Sequence, residues 1–323
     1  MRGPLPALCL LVLSVSCWGQ STARGSEQEA GQTQPPVATI KVSTRVVAIS
    51  AVVKSKSGQP LGGLTKDDFV LKQDGREEPI HYFSQGSDLP LTLALLVDTS
   101  GSQRTFIGDE ARASDVFFET MLGRKEDRAM LVQFDTKVLQ LRGLTNSANA
   151  LHLALLSLSS RASAVGGTLL NDAVYAGAKD VLAKEPGRKA IVILSDGGDN
   201  GSSKSLSEAI EQAQRGDVQI YSIRYSMWEG LGGIAGAPPV GLDPGAGILQ
   251  KLSESTGGRV FTVSRTVGLR EIFAQIGQDL RLEYELGYTP SAGTQPNSYH
   301  KLELRAKDKK LTVQARKGFF AQP

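Results

Sequence analysis

The stretch LTLALLVDTSGS, residues 91–102, decides the fold of this chain. Its first seven residues form a run that is apolar apart from Thr92, which is typical of a β-strand that is buried on both faces. Strands of that kind occur in parallel sheets with helices on each side. The run ends in Asp98 and a cluster of small hydroxyl and glycine residues. The stretch therefore predicts a central strand that is followed by a polar loop.

A second apolar run of the same kind lies at residues 190–194 and ends in Ser-Asp-Gly-Gly-Asp, residues 195–199. Apolar residues at helical spacing predict helices between and after the two runs. These predicted helices cover residues 106–122, 169–185, 205–215, 248–255 and 267–280. Alternation of strands and helices predicts an α/β fold with a doubly wound, mostly parallel sheet flanked by helices. We expect this α/β domain to span residues 89–283.

The segments on either side of the α/β domain have β character. In residues 39–88, apolar and polar residues alternate with period two, and Asp74-Gly75 is a hairpin signal. We expect a small all-β domain formed by N- and C-terminal segments, with residues 284–320 as the candidate partner of 39–88. The last two strands of the C-terminal segment are expected to form a hairpin that turns at Asp308.

The N-terminus resembles an export signal. Residues 1–19 combine a positive start, a short apolar stretch and small residues near a cleavage point. Cleavage after Gly19 would release a soluble protein, and this is the mode we favour. Cleavage before Cys17 would leave a lipidated cysteine, although the leucine usual three positions before it is missing. Residues 20–38 are polar and predict a flexible linker.

Composition excludes several classes of protein. Lys and Arg total 36 against 33 Asp and Glu, a net charge of +3 without a basic tract, so we expect no nucleic-acid partner. The two cysteines, Cys9 and Cys17, both lie in the predicted signal, which leaves no disulfide and no cysteine-ligated metal. We expect no transmembrane segment in the mature chain. It should be periplasmic or secreted, with a lipid-anchored surface form as the alternative.

Three predicted loops at one edge of the sheet carry oxygen groups. Asp98, Ser100 and Ser102 follow the first strand, Thr168 precedes a helix, and Asp196 follows the second buried strand. In an open α/β sheet, ligands bind beyond the carboxyl ends of the strands, so these groups should converge. Carboxylates and hydroxyls are hard donors that suit Mg²⁺, Mn²⁺ or Ca²⁺ better than zinc. The sequence predicts one bound divalent cation, with Mg²⁺ first.

In this order and context, the same five residues resemble the metal-ion-dependent adhesion site (MIDAS) of the von Willebrand factor type A (VWA) domain. The resemblance covers roughly residues 89–283. It implies that Asp98, Ser100, Ser102 and Thr168 are ligands, that Asp196 binds directly or through water, and that an Asp or Glu of a partner completes the coordination. The alternative is a vestigial site, in which the hydroxyls only cap helices.

The flanking β segments resemble an exported "VWFA-related" family described from acidobacteria. The residues that carry this likeness are Leu64-Thr65-x-Asp67-Asp68-Phe69, Asp74-Gly75, Leu286-Gly287-Tyr288 and Lys317-Gly318-Phe319. The resemblance agrees with the export signal and with a protein that acts outside the cytoplasm.

Three further residues are candidates for supporting roles. Asp199 could hold Asp196 in place or substitute for it, and the alternative is a solvated loop acid. Met227 and Trp228 lie in an irregular insert, residues 226–244, that follows a predicted strand at the edge with the metal loops. They are candidates for a partner-binding rim, and the alternative is that they pack against the last helices.

Catalytic signals are weak. His81, His152 and His300 lie outside the metal loops, and we expect each to be a surface or packing residue. The sequence contains no nucleophile elbow, P-loop or zinc-protease motif. We therefore expect a binding protein and not an enzyme: an adhesion-type module that captures an acidic side chain of an extracellular or cell-surface partner. The rivals are a metal-independent structural component of a surface assembly and a metal-assisted hydrolase.

Overall fold

The computed structural model describes residues 46–86, 89–158, 166–225, 244–264, 266–290, 295 and 297–321. The predicted export signal and linker, with Cys9 and Cys17, lie outside these residues, and so do Met227 and Trp228. Within the described part of the chain, no helix is long and apolar enough to cross a membrane.

The chain forms fourteen described strands and six described α-helices. The strands are β1 (Val47–Lys54), β2 (Phe69–Gln73), β3 (Arg76–Glu78), β4 (Tyr82–Gln85), β5 (Leu91–Asp98), β6 (Arg128–Phe134), β7 (Val138–Thr145), β8 (Arg188–Ser195), β9 (Val218–Arg224), β10 (Val260–Thr262), β11 (Tyr284–Tyr288), β12 (Tyr299–Ala306), β13 (Thr312–Ala315) and β14 (Gly318–Phe320). The helices are α1 (Ile107–Met121), α2 (Ala148–Leu155), α3 (Leu170–Ala176), α4 (Leu206–Arg215), α5 (Pro244–Thr256) and α6 (Leu269–Arg281).

The central sheet has six strands in the order β10-β9-β8-β5-β6-β7. All neighbours are parallel except β7, which runs antiparallel to β6. The chain enters at β5, continues outward through β6 and β7, and then crosses to β8 on the other side of β5. The strand order therefore reverses between β5 and β8, and this reversal is where open α/β sheets bind their ligands.

Helices cover both faces of this sheet because both faces of its central strands are apolar. Leu93, Leu95 and Val97 of β5 pack into a core with α1, α2 and α6. The intervening Ala94 and Leu96 pack into a second core with α3, α4 and α5. Side chains of a strand alternate between its faces, so one apolar run supplies both cores. The prediction of a doubly wound, mostly parallel sheet is confirmed.

The flanking segments form two antiparallel sheets of four strands, in the orders β13-β1-β11-β4 and β14-β12-β2-β3. Each sheet combines strands from before and after the α/β part, because β1 pairs with β11 and β2 pairs with β12. The two sheets share one apolar core, whose fully buried members include Ile49, Leu71, Tyr284 and Tyr288. An all-β unit built from N- and C-terminal segments is thus confirmed.

The partners of individual strands differ from the expected ones. The hairpin expected at Asp308 is wrong, because β12 pairs with β2 and β14 whereas β13 pairs with β1 in the other sheet. The hairpin signal at Asp74-Gly75 does correspond to a hairpin, because this turn joins β2 to β3, and β4 pairs with β11 in the other sheet. Alternation of apolar residues identifies a strand and its buried face, but it does not select the neighbour.

Candidate metal centre

The predicted metal residues lie at the carboxyl edge of the sheet, on both sides of the strand-order reversal. Val97 of β5 lies opposite Leu194 of β8, so Asp98 and Ser195 follow as neighbours on adjacent strands. Asp98 is fully buried, and Asp196 is half-buried one residue beyond the end of β8. The register of β5 against β8 therefore fixes the position of the first carboxylate.

Asp98 is held by both of its neighbouring loops. One carboxylate oxygen accepts the backbone N–H of Ser100 at 2.9 Å, and the other accepts the Ser195 hydroxyl at 2.5 Å. Burial raises the pKa of Asp98 to about 6, and the nearby charge of Asp196 acts in the same direction. The hydrogen bonds from Ser100 and Ser195 oppose this shift. Asp98 is thus an oriented carboxylate whose negative charge is costly without a positive partner.

Ser100 and Ser102 place two hydroxyls beside each other on the loop after β5. Their Oγ atoms are 3.2 Å apart. Ser100 is buried, and Ser102 is exposed. Alternate residues of the loop therefore present a buried hydroxyl oxygen and an exposed one, as the D-x-S-x-S spacing predicts.

Thr168 is tied to the loop that carries Asp196. Thr168 and Asn200 form an isolated antiparallel bridge, with backbone hydrogen bonds of 3.1 and 2.8 Å. The next residue, Leu169, donates its N–H to the carbonyl of Asp135 at 2.9 Å. Thr168 is nearly buried at 9% exposure. The connection before α3 is thereby hydrogen-bonded to the loop after β8 and to the loop after β6. Thr168 lies at the edge of the sheet that the sequence predicted.

The Asp196 loop depends on a glycine. Asp196 accepts the N–H of Gly198 at 2.9 Å, and Gly197 adopts a φ of +87°. A Cβ atom at Gly197 would lie 2.2 Å from the carbonyl oxygen of Gly245 in α5. Any larger residue would therefore force the loop and the helix apart. The Asp-Gly pair in the sequence reflects this close approach.

Asp199 contacts the beginning of α3. Its Oδ1 accepts the N–H of Asn171 at 3.0 Å and the hydroxyl of Ser202 at 2.6 Å. A carboxylate at a helix N-terminus satisfies free backbone N–H groups and interacts favourably with the helix dipole. The described geometry therefore assigns Asp199 a role in holding α3, the helix that follows Thr168.

Sequence reasoning missed three residues of this region. Ser195 binds Asp98 directly. Asp135 follows β6 at the same edge and accepts the Thr99 hydroxyl at 3.2 Å, which links the β5 loop to the segment before α3. Its position directly after a buried strand was a signal that could have identified it. Ser195 gave a weaker signal, because a serine at the end of a strand is common.

Glu110 is the third missed residue. It is fully buried in α1, and neither carboxylate oxygen has a hydrogen-bond partner within the described residues. Burial raises its pKa well above the ordinary range, and the charges of Asp98 and Asp109 add to the shift. The raised pKa favours the uncharged form of Glu110, the form that adds no negative charge near Asp98. Neither the helical pattern nor the motif predicted a buried acid at this point.

The side chains present suit a hard divalent cation. The described residues contain no group of three or more His, Cys, Asp or Glu that could hold a metal ion, so any ion here depends on hydroxyl oxygens as well as carboxylates. Asp98, Ser100 and Ser102 supply such oxygens on one loop, and Asp98 is a buried acid that a positive charge would stabilise. This donor chemistry fits Mg²⁺, Mn²⁺ or Ca²⁺ and does not favour zinc.

A doubly wound sheet with oxygen groups from three loops at its strand-order reversal defines a class of α/β ligand-binding domains. The chain belongs to the von Willebrand factor type A domain family, whose sequence profile matches residues 92–275, more than half of the chain. No curated protein sequence matches the chain.

Several solved structures are similar to part of this chain. BatB from Bacteroides thetaiotaomicron is 16% identical, with 59% of this chain and 97% of that chain covered and a TM-score of 0.47. The vWF domain of the pilus tip protein Mfa5 from Porphyromonas gingivalis is 13% identical, with 59% and 95% covered and a TM-score of 0.45. Manganese-loaded TRAP protein from Plasmodium vivax is 17% identical, with 74% and 98% covered and a TM-score of 0.45. These likenesses carry no conclusion about what this chain binds.

Proposed function

We propose that this protein is an exported, adhesion-type binding module that captures an acidic side chain of a partner protein through a divalent ion. The ion would be held by Asp98, Ser100, Ser102, Thr168 and Asp196. The observation that supports the proposal is the position of Asp98, a buried carboxylate at the strand-order reversal. On the same loop, the hydroxyls of Ser100 and Ser102 are 3.2 Å apart.

The chain's own residues prepare the site before any partner arrives. Ser195 and the N–H of Ser100 fix both oxygens of Asp98, so little rotational freedom remains to be lost on binding. The Thr168–Asn200 bridge holds the second and third loops together. A bound divalent ion would supply the positive charge that Asp98 lacks and an open coordination position for a carboxylate. Exposed Ser102 and half-buried Asp196 lie on the accessible side of the site.

The partner's identity would be decided around the ion, because an ion attracts any exposed carboxylate. Specificity then comes from contacts that separate one partner from another. Met227 and Trp228 belong to the segment that follows β9 at the carboxyl edge of the sheet, and tryptophan is enriched among binding hot spots. We include both residues in the proposed rim. If the rim is correct, Trp228→Ala weakens partner binding by about 1–2 kcal/mol without changing ion affinity or the melting temperature.

Export is the second part of the proposal. The signal at residues 1–19 would be removed, and cleavage after Gly19 would leave a chain that starts at Gln20. Intact mass of the protein recovered from its native host tests this. A mass that corresponds to acylated Cys17 would establish the lipid-anchored form, and an uncleaved chain would contradict export.

Ion binding is tested by calorimetric titration of the purified protein with Mg²⁺, Mn²⁺ and Ca²⁺. We expect one ion per chain for the wild type and none for Asp98→Asn. Asp109→Asn is the matched control, because Asp109 is an exposed acid paired with Arg112 in α1. Absence of uptake at millimolar concentrations of all three ions would overturn the proposed site and favour a metal-independent structural component.

Partner capture is tested by affinity purification from a cell-surface extract, with and without chelator. We expect to recover proteins that bind the wild type without chelator. The same proteins should be lost when chelator is added, and Asp98→Asn should not retain them. Capture that is equal with and without chelator would contradict metal-bridged binding even if the ion site exists.

A further inference from the structure

A serine, a histidine and an aspartate form a hydrogen-bonded chain in the all-β part of the molecule. The Oγ of Ser298 lies 2.7 Å from Nε2 of His300, and Nδ1 of His300 lies 2.7 Å from Oδ2 of Asp74. These atoms are the ones that a nucleophile, a general base and an orienting acid use in hydrolases, at the distances that such chemistry requires. None of the three residues belongs to the metal loops.

Strand pairing builds this arrangement from distant parts of the sequence. Leu302 of β12 lies opposite Gln73 of β2, so the start of β12 meets the turn that follows β2. Asp74 occupies that turn with a φ of +49°. Its N–H donates to the carbonyl of Lys301 at 2.9 Å, and its Oδ1 accepts the N–H of Lys301 at 2.8 Å. The backbone thus fixes Asp74 while its second oxygen stays directed at His300.

His300 is held on several sides. Its ring stacks on Phe319 with the centroids 5.4 Å apart, and the residue is 9% exposed. Burial tends to raise the pKa of Asp74, but hydrogen bonds from His300 and the N–H of Lys301 outweigh it, so the pKa lies below the ordinary value. When Nδ1–H of His300 donates to Asp74, Nε2 carries no proton and can accept the Ser298 hydroxyl. That is the tautomer that a general base needs.

Ser298 has two acceptors for its single hydroxyl proton. One is Nε2 of His300 at 2.7 Å, and the other is the carbonyl of Gln295 at 2.5 Å. With the proton directed at His300, Oγ gains nucleophilic character. With the proton directed at Gln295, Oγ instead accepts from Nε2–H of His300 and is inert. Ser298 is only partly buried, so part of the residue is in contact with solvent.

We propose that Ser298 is an activated nucleophile that takes acyl groups from small activated esters, with His300 as general base and Asp74 as a positioning residue. Oγ attacks the ester carbonyl while its proton moves to Nε2 of His300. The carbon–oxygen bond to the leaving alcohol then breaks, and that alcohol takes the proton from His300. Water attacks the acyl-serine in the same way, which releases a carboxylic acid and restores the hydroxyl. This activity would be separate from the proposed metal-dependent binding.

A fluorophosphonate probe tests the nucleophile directly, because an activated serine displaces its fluoride and keeps the phosphonyl group. We expect the full-length protein to gain one label at neutral pH, and peptide mapping to place it on Ser298. Ser298→Ala should abolish the label. Ser57→Ala should label normally, since the Ser57 hydroxyl contacts only Ser55 Oγ, at 2.8 Å, within the described residues. An unlabelled wild type, or a label elsewhere that survives Ser298→Ala, would overturn the proposal.

The base and the positioning residue have separate readouts. His300→Gln should slow labelling roughly 100-fold or more, as expected for loss of general-base assistance. Asp74→Asn should alter the pH profile of p-nitrophenyl acetate hydrolysis, which a purely structural residue would not do. Melting curves of each variant establish that it is folded. Labelling that is equally fast in folded His300→Gln would contradict the proposal.

A cysteine variant keeps the test informative if the His300 variant does not fold. Ser298→Cys places a thiol against Nε2 of His300, and a neighbouring base increases the fraction of thiolate. We expect iodoacetamide to alkylate this position at pH 6 about tenfold faster than the exposed cysteine of Ser57→Cys. Equal rates at the two positions would show that His300 does not activate residue 298.

Discussion

Ser195 donates a 2.5 Å hydrogen bond to Asp98, although the two residues are 97 positions apart in the sequence. The same Ser195 oxygen accepts the N–H of Gly197 at 2.9 Å. One hydroxyl therefore connects the end of β5, the end of β8 and the loop that carries Asp196. It thus ties Asp98 to the backbone next to Asp196, the two acids that the metal-binding proposal requires.

Ser195→Ala should lower the free energy of unfolding by about 1–3 kcal/mol, because a buried carboxylate and a buried N–H lose their partner. It should also weaken uptake of the divalent ion, since only the N–H of Ser100 then orients the Asp98 carboxylate. Ser114→Ala is the matched control: Ser114 is fully buried, and its hydroxyl has no hydrogen-bond partner within the described residues. Denaturant melts and calorimetry check both variants, and equal effects would contradict a special role for Ser195.

Gly197→Ala should destabilise the protein by roughly 2 kcal/mol or more, because alanine is strained at positive φ and its Cβ would meet the carbonyl of Gly245. Ion affinity should fall with stability, since the displaced loop carries Asp196. Gly101→Ala is the control on the neighbouring loop, where an added Cβ meets nothing within 4 Å. Thermal melts of the two variants should differ clearly, and similar melting temperatures would show that the Gly197–Gly245 approach can relax.

Asp279 of α6 lies at a junction between the α/β part and the all-β part. It accepts Nζ of Lys54 in β1 at 2.9 Å and Nε of Arg259 at 3.0 Å. Asp279→Asn should lower the free energy of unfolding by roughly 3–5 kcal/mol, because it leaves the buried Lys54 without its charged partner. Chemical denaturation measures this change.

The control for Asp279→Asn is Arg305→Met, which removes an exposed charge beside Glu303 and should leave the melting temperature unchanged. The double variant Lys54→Met/Asp279→Leu should be more stable than Asp279→Asn, since the buried charge of Lys54 is removed together with its partner. A double variant as unstable as the single one would show that packing, and not charge, is the cause.

Glu283 should make stability depend on pH. Burial raises its pKa, and the neighbouring charge of Glu285 adds to the shift while Arg188 opposes it. The folded protein then keeps a proton on Glu283 at pH values where the unfolded chain, with a glutamate pKa of 4.5, has lost it. Glu283 therefore contributes its full stabilisation below the unfolded-state pKa of 4.5. This contribution is lost as the pH rises through the raised pKa of the folded state.

Glu283→Gln should therefore flatten the decline in melting temperature between weakly acidic and alkaline pH. The control is Glu271→Gln at an exposed position of α6, which should keep the wild-type dependence on pH. Melting curves recorded across this range test the prediction. A decline that is as steep in Glu283→Gln as in the wild type would assign the pH dependence to other groups.

The sequence by itself determined the α/β class, the β character of both flanks and the edge that carries Asp98 and Asp196. These features follow from local patterns. Apolar runs indicate strands buried on both faces, and apolar residues at helical spacing indicate the helices that pack on them. Loops that follow parallel strands lie at the same edge of the sheet. The α3 region shows the limit of such patterns. The helix predicted over residues 169–185 is regular only over Leu170–Ala176 and continues as π-helical and 3₁₀ turns.

Only the tertiary structure decided which distant residues meet. Strand partners depend on the complete set of apolar faces that must be buried, so no local pattern placed β12 and β13 in different sheets. The pairing of β2 with β12 brought Asp74 to His300, which sequence reasoning had expected only to pack or to lie at the surface. The register of β5 against β8 likewise brought Ser195 to Asp98. Spacing along the chain predicts the residues of one loop, whereas hydrogen bonds between loops depend on the packed fold.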